Sequence, residues 1–190
     1  SPSPGASFPE QVVALQAIAD QVQRLRGLDA RHPLEAEIVS PVDFAHQARA
    51  ALAAEWPDTL LARQLQLDSF LGLVRAPLTG GTGRKGDTAG IFAAPDGAVF
   101  AVHGWQPKPG DTALVACAFD RALVMQSLSD LSSEMLSLIC PDDLDACLAR
   151  RALMAGDAAL LAEQWWRTFG GDRSILPASP VDCAAHMAER

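Results

Sequence analysis

Ala-Cys-Ala-Phe-Asp-Arg-Ala-Leu-Val-Met-Gln-Ser-Leu-Ser-Asp-Leu, residues 116–131, is the stretch of sequence that decides the fold. We predict that it forms a helix, capped by Asp111 and ending near Ser129. Helical geometry places Cys117 and Arg121, four positions apart, on one face of this helix. The function that this stretch indicates depends on the side chains that occupy that face.

A second stretch, Ala-Arg-Arg-Ala-Leu-Met-Ala-Gly-Asp-Ala-Ala-Leu-Leu at residues 149–161, belongs to a longer predicted helix. This helix is expected to begin at Pro141, where three aspartates suit the positive end of the helix dipole. Gly170 and Gly171 mark its end. The predicted function depends on both helices.

The two stretches resemble a family of bacterial cell-envelope lipoproteins that have a zincin-like, gluzincin-type metallopeptidase fold. In that family Ala-His-Glu-Tyr-Thr-His-Ala-Leu-Gln-Asp-Gln is followed by Ala-x-Arg-Ala-Leu-Val-Glu-Gly-Asp-Ala-x-Leu-Leu. The second pattern is kept almost throughout. Non-ligand positions of the first pattern are kept or nearly kept at Ala116, Phe119, Ala122, Leu123 and Gln126. The resemblance implies an α+β, zincin-like fold, mostly helical, with a small sheet or hairpin packed on the helix at 116–131.

The residues that perform the chemistry in that family are replaced here. In a His-Glu-x-x-His helix the two histidines bind zinc and the glutamate is the general base. The resemblance puts Cys117 and Arg121 at the histidine positions. Ala118 then stands at the glutamate position, and Ala155 stands at that of the third zinc ligand. Because arginine keeps its proton and alanine has no donor atom, we expect a degenerate site without metal, cofactor or peptidase activity.

Arg121 is expected to take the place of the missing cation. Its guanidinium would pair with Asp157 on the facing helix or with neighbouring Asp120, since a charge-assisted pair offsets the desolvation of a buried charge. The alternative is that Arg121 points to solvent. Gly156, a helical glycine that costs about 1 kcal/mol relative to alanine, is expected to allow close approach of the first helix. The alternative there is a tolerated surface glycine.

Two classes of function are open. The first, which the emptied site favours, is a non-catalytic module of the cell envelope that binds a peptide or protein in the former substrate cleft, or has a structural role. The second is an enzyme with relocated chemistry, either with Cys117 as nucleophile and His103 as its base or with a non-standard metal site that includes Asp157. The residues of the candidate cleft are Arg121, Asp157, Asp120 and His103. Four tryptophans are candidates for lining a groove but are more typical of a core: Trp56, Trp105, Trp165 and Trp166.

Composition and charge limit the number of domains, the classes of partner and the location expected for this chain. The chain has 190 residues, 49% of them hydrophobic, which is enough for one domain, expected at residues 8–190. A net charge of −8 argues against a nucleic-acid surface, and no apolar run approaches the roughly 20 residues that span a bilayer. Residues 1–7 are expected to be a flexible tether that follows an export signal or a lipid anchor, or else a frayed terminus. The expected location is the periplasm or the cell envelope.

The four cysteines are Cys117, Cys140, Cys147 and Cys183. Their spacing fits no metal site, and in an exported protein they allow three disulfide pairings. Cys140 and Cys147 flank a helix start and can bridge only if the chain folds back there. A buried free thiol is an equal alternative for each cysteine.

The remaining elements are predicted from local signals. Residues 8–27 form a helix with a glycine C-cap, and residues 34–39 form a strand. Ser40-Pro41-Val42-Asp43 starts a helix that Pro57 stops, and another helix follows from about residue 58 to Pro77. A hairpin is expected over residues 89–102, turning at Pro95-Asp96-Gly97. Gly-rich residues 80–86 precede that hairpin instead of a helix, so we interpret them as a loop and not as a phosphate site.

Overall fold

The computed structural model describes residues 8–55, 66, 70, 90–105, 112–127 and 144–170. In chain order the elements are α1 (Phe8–Arg26), β1 (Ala36–Val39), α2 (Pro41–Glu55), β2 (Ile91–Ala93), β3 (Val99–Val102), α3 (Thr112–Ser127) and α4 (Leu144–Phe169). Within the described residues, four helices and one small sheet confirm the α+β class. The predicted tether, the glycine-rich loop and Asp111 lie outside the described residues. Of the predicted helix after residue 58, residues 66 and 70 are described, and both are helical.

Helix α1 confirms the first predicted helix. Its buried residues Leu15, Ile18, Ala19 and Val22 recur at helical spacing and form the face toward the core. Gly27 ends the helix with a φ of +63°, and its N–H donates to the carbonyl oxygen of Gln23 at 3.0 Å. This left-handed C-cap conformation favours glycine.

The sheet has the strand order β1-β3-β2. β1 confirms the strand predicted before Ser40, and it pairs in parallel with β3. β2 and β3 form the predicted antiparallel hairpin. At its turn Gly97 has a φ of +86°, and the Asp96 carboxylate accepts a hydrogen bond from the N–H of Ala98 at 3.0 Å.

Helix α2 begins with the predicted capping residues and covers one face of the sheet. The Ser40 hydroxyl oxygen accepts a hydrogen bond from the N–H of Asp43 at 3.2 Å. Phe44 of α2 meets Phe92 of β2 edge to face, with ring centroids 5.1 Å apart. Phe92 in turn stacks on Phe100 of β3 at 5.3 Å.

The opposite face of the sheet packs on the main core, and α3 lies at its centre. Most of the α3 side chains are buried, among them Phe119 and Leu123, which are fully enclosed. α3 contacts α1, α4 and β2. Trp165 and Trp166 of α4 are 4% and 6% exposed, so both belong to the core and not to a groove. Trp105 is half-buried, and Trp56 lies outside the described residues.

The prediction that α3 approaches α4 closely at Gly156 was wrong. Gly156 is exposed, and a Cβ atom built on it meets nothing within 4 Å in the described part of the chain. The helices do pack together, but through the other side of α4, where Ala158 and Leu161 are buried. Residues two apart on a helix point in nearly opposite directions, so Ala158 faces α3 and Gly156 faces outward. Gly156 is the tolerated surface glycine.

Candidate functional site

Asp120 is the buried acidic residue of α3. It sits in an otherwise apolar part of the helix, and its side chain is 1% exposed. Arg26, in the last turn of α1, donates to it from Nε to Oδ1 at 2.8 Å and from Nη2 to Oδ2 at 3.3 Å. A planar guanidinium matches a carboxylate in this two-bond arrangement, which fixes the geometry of both side chains.

Asp157 of α4 binds the other side of the same guanidinium. Arg26 donates from Nη1 to Oδ1 of Asp157 at 3.1 Å and from Nη2 to Oδ2. The side chains of Arg26 and Asp157 are 21% and 37% exposed, so the cluster lies between the core and the surface. One arginine therefore joins three helices, α1, α3 and α4, through two carboxylates. We call Arg26, Asp120 and Asp157 the carboxylate–arginine cluster.

The electrostatics of the carboxylate–arginine cluster are set by burial. Desolvation raises the pKa of Asp120 from 3.8 to about 6, although the charge and hydrogen bonds of Arg26 lower it. A fully available guanidinium would hold a carboxylate pKa down, but Asp157 shares this one and its own charge adds to the increase. Burial also acts to lower the pKa of Arg26, and Asp157 and Asp120 outweigh it, so the pKa of Arg26 is raised. The cluster is a coupled unit of one cation and two acids.

The guanidinium between the two carboxylates belongs to Arg26 and not to Arg121. Arg121 follows Asp120 on α3 and is half-buried. The expected pairing of Asp120 and Asp157 with an arginine thus exists, but sequence reasoning named the wrong partner for it. The available signal was an aspartate inside an apolar helix, which demands a buried cation. Nothing in the spacing pointed to Arg26, 94 residues earlier in the chain.

Cys117 is disulfide-bonded and 6% exposed. Its Sγ lies 3.8 Å from the carbonyl oxygen of Ala158, where α3 crosses α4. A disulfide sulfur carries no proton, so this is a packing contact and not a hydrogen bond. Its partner sulfur lies outside the described residues, as do the side chains of Cys140, Cys147 and Cys183. The first aligned position therefore holds neither a free thiol nor a thiolate.

His103 lies at the far end of α1 from the carboxylate–arginine cluster. Its exposed ring stacks on Phe8, with centroids 5.9 Å apart. Phe8 starts α1 and Arg26 ends it, and a helix rise of 1.5 Å per residue separates them by about 27 Å. The structure thus brings Asp120 and Asp157 of the candidate cleft together and leaves His103 apart from them.

The residues at the aligned positions do not fit a zinc ion. Cys117 is in a disulfide, the half-buried Arg121 is a cation, and Ala118 is buried without a donor atom. Ala155 also has no donor by its chemistry. Asp120 and Asp157 supply oxygen atoms, but Arg26 already binds them. Among the described residues, no group of three or more His, Cys, Asp or Glu is arranged to hold a metal.

A groove of about 270 Å³ lies between α1 and the start of β1. It is lined by Val12, Leu15, Gln16, Glu35 and Ala36. None of the candidate cleft residues contributes to it, so this groove and the carboxylate–arginine cluster are separate features.

Comparisons with known proteins give no match: no family model fits the chain, and neither curated proteins nor solved structures match it significantly. None of the described helices is both long enough and apolar enough to cross a bilayer.

Proposed function

We propose that this chain is a non-catalytic, zincin-like protein of the cell envelope, a pseudo-metallopeptidase that serves as a binding or structural module. The support for the fold is the resemblance of residues 116–126 and 149–161 to the zinc-binding helices of that family. These two stretches fall in α3 and α4, which pack against each other beside the hairpin of β2 and β3. That arrangement is compatible with a zincin-like order of elements.

The disulfide at Cys117 is the observation that carries the non-catalytic part of the proposal. Of the four positions that bind zinc or activate water in the family, only Cys117 has a conventional ligand atom in this chain. A cysteine side chain binds zinc or attacks a carbonyl carbon as its thiolate, and Cys117 is in a disulfide instead. The same observation opposes an enzyme that uses Cys117 as its nucleophile. His103, its proposed base, stacks on Phe8 at the far end of α1.

The carboxylate–arginine cluster supports a structural use of the former site. A zinc ion would join α3 and α4 with a positive charge, and here Arg26 joins Asp120 of α3 to Asp157 of α4 with a positive charge. A half-buried guanidinium with four hydrogen bonds offsets much of the desolvation of the two acids. The helices are thus held together without a metal. The partner of the proposed module is a peptide or protein.

The disulfide also supports export. Disulfides persist in oxidising compartments such as the periplasm and are reduced in the cytosol. We therefore expect folded protein in higher yield from an oxidising bacterial cytoplasm than from a reducing one. Equal yields of protein with equal melting temperatures would contradict the exported location.

Metal content and peptide hydrolysis test the proposal together. Purified protein is dialysed with excess zinc and then without it, and its zinc is measured by mass spectrometry against its concentration. The same samples are incubated with denatured casein, and new amino termini are measured. We expect far less than one zinc per chain and no hydrolysis above a sample without protein. Stoichiometric zinc or chain-dependent hydrolysis would overturn the non-catalytic function.

Asp157→Asn is the matched variant for the alternative enzyme. If the wild type does hold a metal through a ligand set that includes Asp157, this variant loses the metal and the activity together. If the non-catalytic function holds, Asp157→Asn changes stability but leaves zinc content and hydrolysis at the background of the wild type.

A further inference from the structure

Strand β1 is the outer strand of the sheet on the side opposite β2, the strand that contacts α3. Within the described part of the chain, β1 pairs with β3 and with no other strand. The Val39 carbonyl oxygen accepts a hydrogen bond from the N–H of His103 at 2.8 Å, so the backbone groups of Val39 and Glu37 point toward β3. Because these groups alternate in direction along a strand, those of Ala36 and Ile38 point outward. The edge thus presents two N–H and two C=O groups to a further strand.

The groove of about 270 Å³ between α1 and β1 lies beside this edge. Its apolar walls are Val12 and Leu15 of α1 and Ala36 of β1, and Val12 is 42% exposed. The volume is below the roughly 300 to 1,000 Å³ of pockets that enclose small molecules. An extended peptide that adds to β1 would place every second side chain over the groove, because successive side chains point to opposite faces of a strand. The groove therefore favours apolar residues at those positions of a peptide.

Acidic side chains surround the same edge. Glu35 lines the groove, and Glu37 is exposed and lies opposite Phe100 of β3, on the other face of the sheet from Ala36. Asp20, one turn beyond Gln16 on α1, accepts a hydrogen bond from the Gln16 amide at 2.9 Å. None of the described residues that line the groove is basic, and the chain has a net charge of −8. Charge complementarity therefore favours basic side chains in the partner.

We propose that β1 and the adjoining groove bind an extended peptide whose apolar and basic residues alternate. The peptide adds as an antiparallel strand, the orientation that is more stable per residue. Its apolar residues lie opposite Ala36 and Ile38, exchange backbone hydrogen bonds with them and cover Val12 of α1. Its basic residues lie opposite Glu35 and Glu37. This inference deepens the proposed function and rests on it for the class of partner, which is a peptide.

A second copy of the chain fits this edge less well than a basic peptide does. Pairing of β1 with β1 of another copy would bring the Glu35 and Glu37 side chains of both copies to one edge. Like charges that lie near each other on paired strands are destabilising. A peptide with lysines at the facing positions replaces this repulsion by attraction.

Fluorescence anisotropy with three matched peptides tests the site on the purified full-length chain. The first probe is fluorescein-labelled Lys-Val-Lys-Val-Lys-Val-Lys. The second has Glu in place of every Lys, and the third has N-methylated valines, which keeps the charge but removes the backbone donors that face β1. We expect saturable binding of the first probe and at least about tenfold weaker binding of the other two. Absence of binding by the first probe, or equal binding of the N-methylated peptide, would overturn the proposal.

Two neighbouring valines of α1 provide matched variants of the protein. Val12 lines the groove, whereas Val13 is 69% exposed and is not among the lining residues. Val12→Lys places a positive charge beneath the bound peptide and should weaken binding of the first probe about tenfold. Val13→Lys adds the same charge and should stay within about twofold of the wild type. Circular dichroism checks that both variants are folded. Equal affinities of the two variants for the probe would contradict a site at the groove.

Sedimentation velocity distinguishes a peptide from a second copy as the occupant. A wild type that sediments as a dimer, with Val12→Lys as a monomer, would show that a second copy covers the edge and would overturn the proposal. Zinc content and hydrolysis do not enter these measurements. If the first probe fails to bind a chain that has neither zinc nor hydrolysis, the β1 site is wrong and the non-catalytic function stands. If zinc or hydrolysis is found while the probe still binds, only the non-catalytic function fails.

Discussion

Arg26 donates two hydrogen bonds to Asp120, at 2.8 and 3.3 Å, and thereby joins the end of α1 to the middle of α3. The Asp120 side chain is 1% exposed, so the guanidinium and not bulk water solvates its charge. A buried carboxylate that loses its cation is strongly destabilising, whereas a pair replaced as a whole can be nearly neutral. The ion pair between these two residues therefore predicts how substitutions of either one change the free energy of unfolding.

Removal of Arg26 is expected to destabilise the fold. Arg26→Met keeps much of the side-chain volume but leaves Asp120 buried without its cation, and we expect a loss of about 3 kcal/mol at neutral pH. The measurement is the free energy of unfolding in urea, followed by the fluorescence of the buried tryptophans. Arg24→Met is the control. Arg24 is exposed and, within the described residues, donates to a carbonyl oxygen of its own helix, so the change should stay within about 0.5 kcal/mol.

A second substitution distinguishes the ion pair from simple packing. Asp120→Asn added to Arg26→Met removes the uncompensated charge, so the double variant should recover more than half of the loss. If Arg26→Met unfolds at the same urea concentration as Arg24→Met, or if the double variant is no more stable than Arg26→Met, the pair does not have this role.

The raised pKa of Asp120 predicts a pH dependence of stability. Burial raises this pKa from 3.8 to about 6, so between those values the folded chain binds more protons at Asp120 than the unfolded chain. The contribution is fully present below the unfolded pKa and is lost as pH rises through the folded pKa. Relative to Asp120→Asn, which does not titrate, the wild type should lose up to about 3 kcal/mol between pH 4 and pH 7.

The difference between the two unfolding curves, measured at several pH values, checks this prediction. A constant difference between wild type and Asp120→Asn from pH 4 to 7 would show that burial does not raise the pKa of Asp120.

Two glycines predict opposite effects of the same substitution. Gly156 is exposed inside α4, and no described residue lies within 4 Å of a Cβ atom built on it, so Gly156→Ala should stabilise the fold by about 1 kcal/mol through helix propensity. Gly27 has a φ of +63° at the end of α1, so Gly27→Ala should destabilise it by about 1 kcal/mol. Thermal unfolding of both variants measures the signs. If Gly156→Ala destabilises the fold, that result would support close helix packing at this position.

The sequence predicted those parts of the fold that depend on neighbours along the chain. The end of α1 at Gly27, the cap at Ser40 and the hairpin turn at Gly97 each follow from residues within a few positions, and each is confirmed. The choice of Arg26 for the carboxylates could not be predicted in this way. It lies 131 residues from Asp157, and only the packing of three helices brings them together. The Gly156 prediction failed because a helical pattern alone does not say which face is buried.

The candidate site likewise has features that the sequence predicted and features that it did not predict. Residue chemistry named Asp120 and Asp157 as carboxylates that pair with an arginine, and both do bind one arginine, although it is Arg26 and not Arg121. It placed His103 with the acids, although His103 directly follows strand β3 and lies beside the first turn of α1. It left Cys117 open between a thiol and a disulfide, because no spacing rule distinguishes the two.

We propose that α3 and α4 are arranged as the zinc-binding helices of the zincin-like family are, with the zinc ligands replaced. Restoring the ligands tests this arrangement. The triple variant combines Cys117→His, Arg121→His and Ala155→Glu, and the matched control has the first two substitutions without Ala155→Glu. Zinc per chain is measured by mass spectrometry after dialysis, and folding is checked by circular dichroism. We predict about one zinc per folded chain in the triple variant and much less in the control. A folded triple variant that binds no more zinc than its control would contradict the zincin-like arrangement.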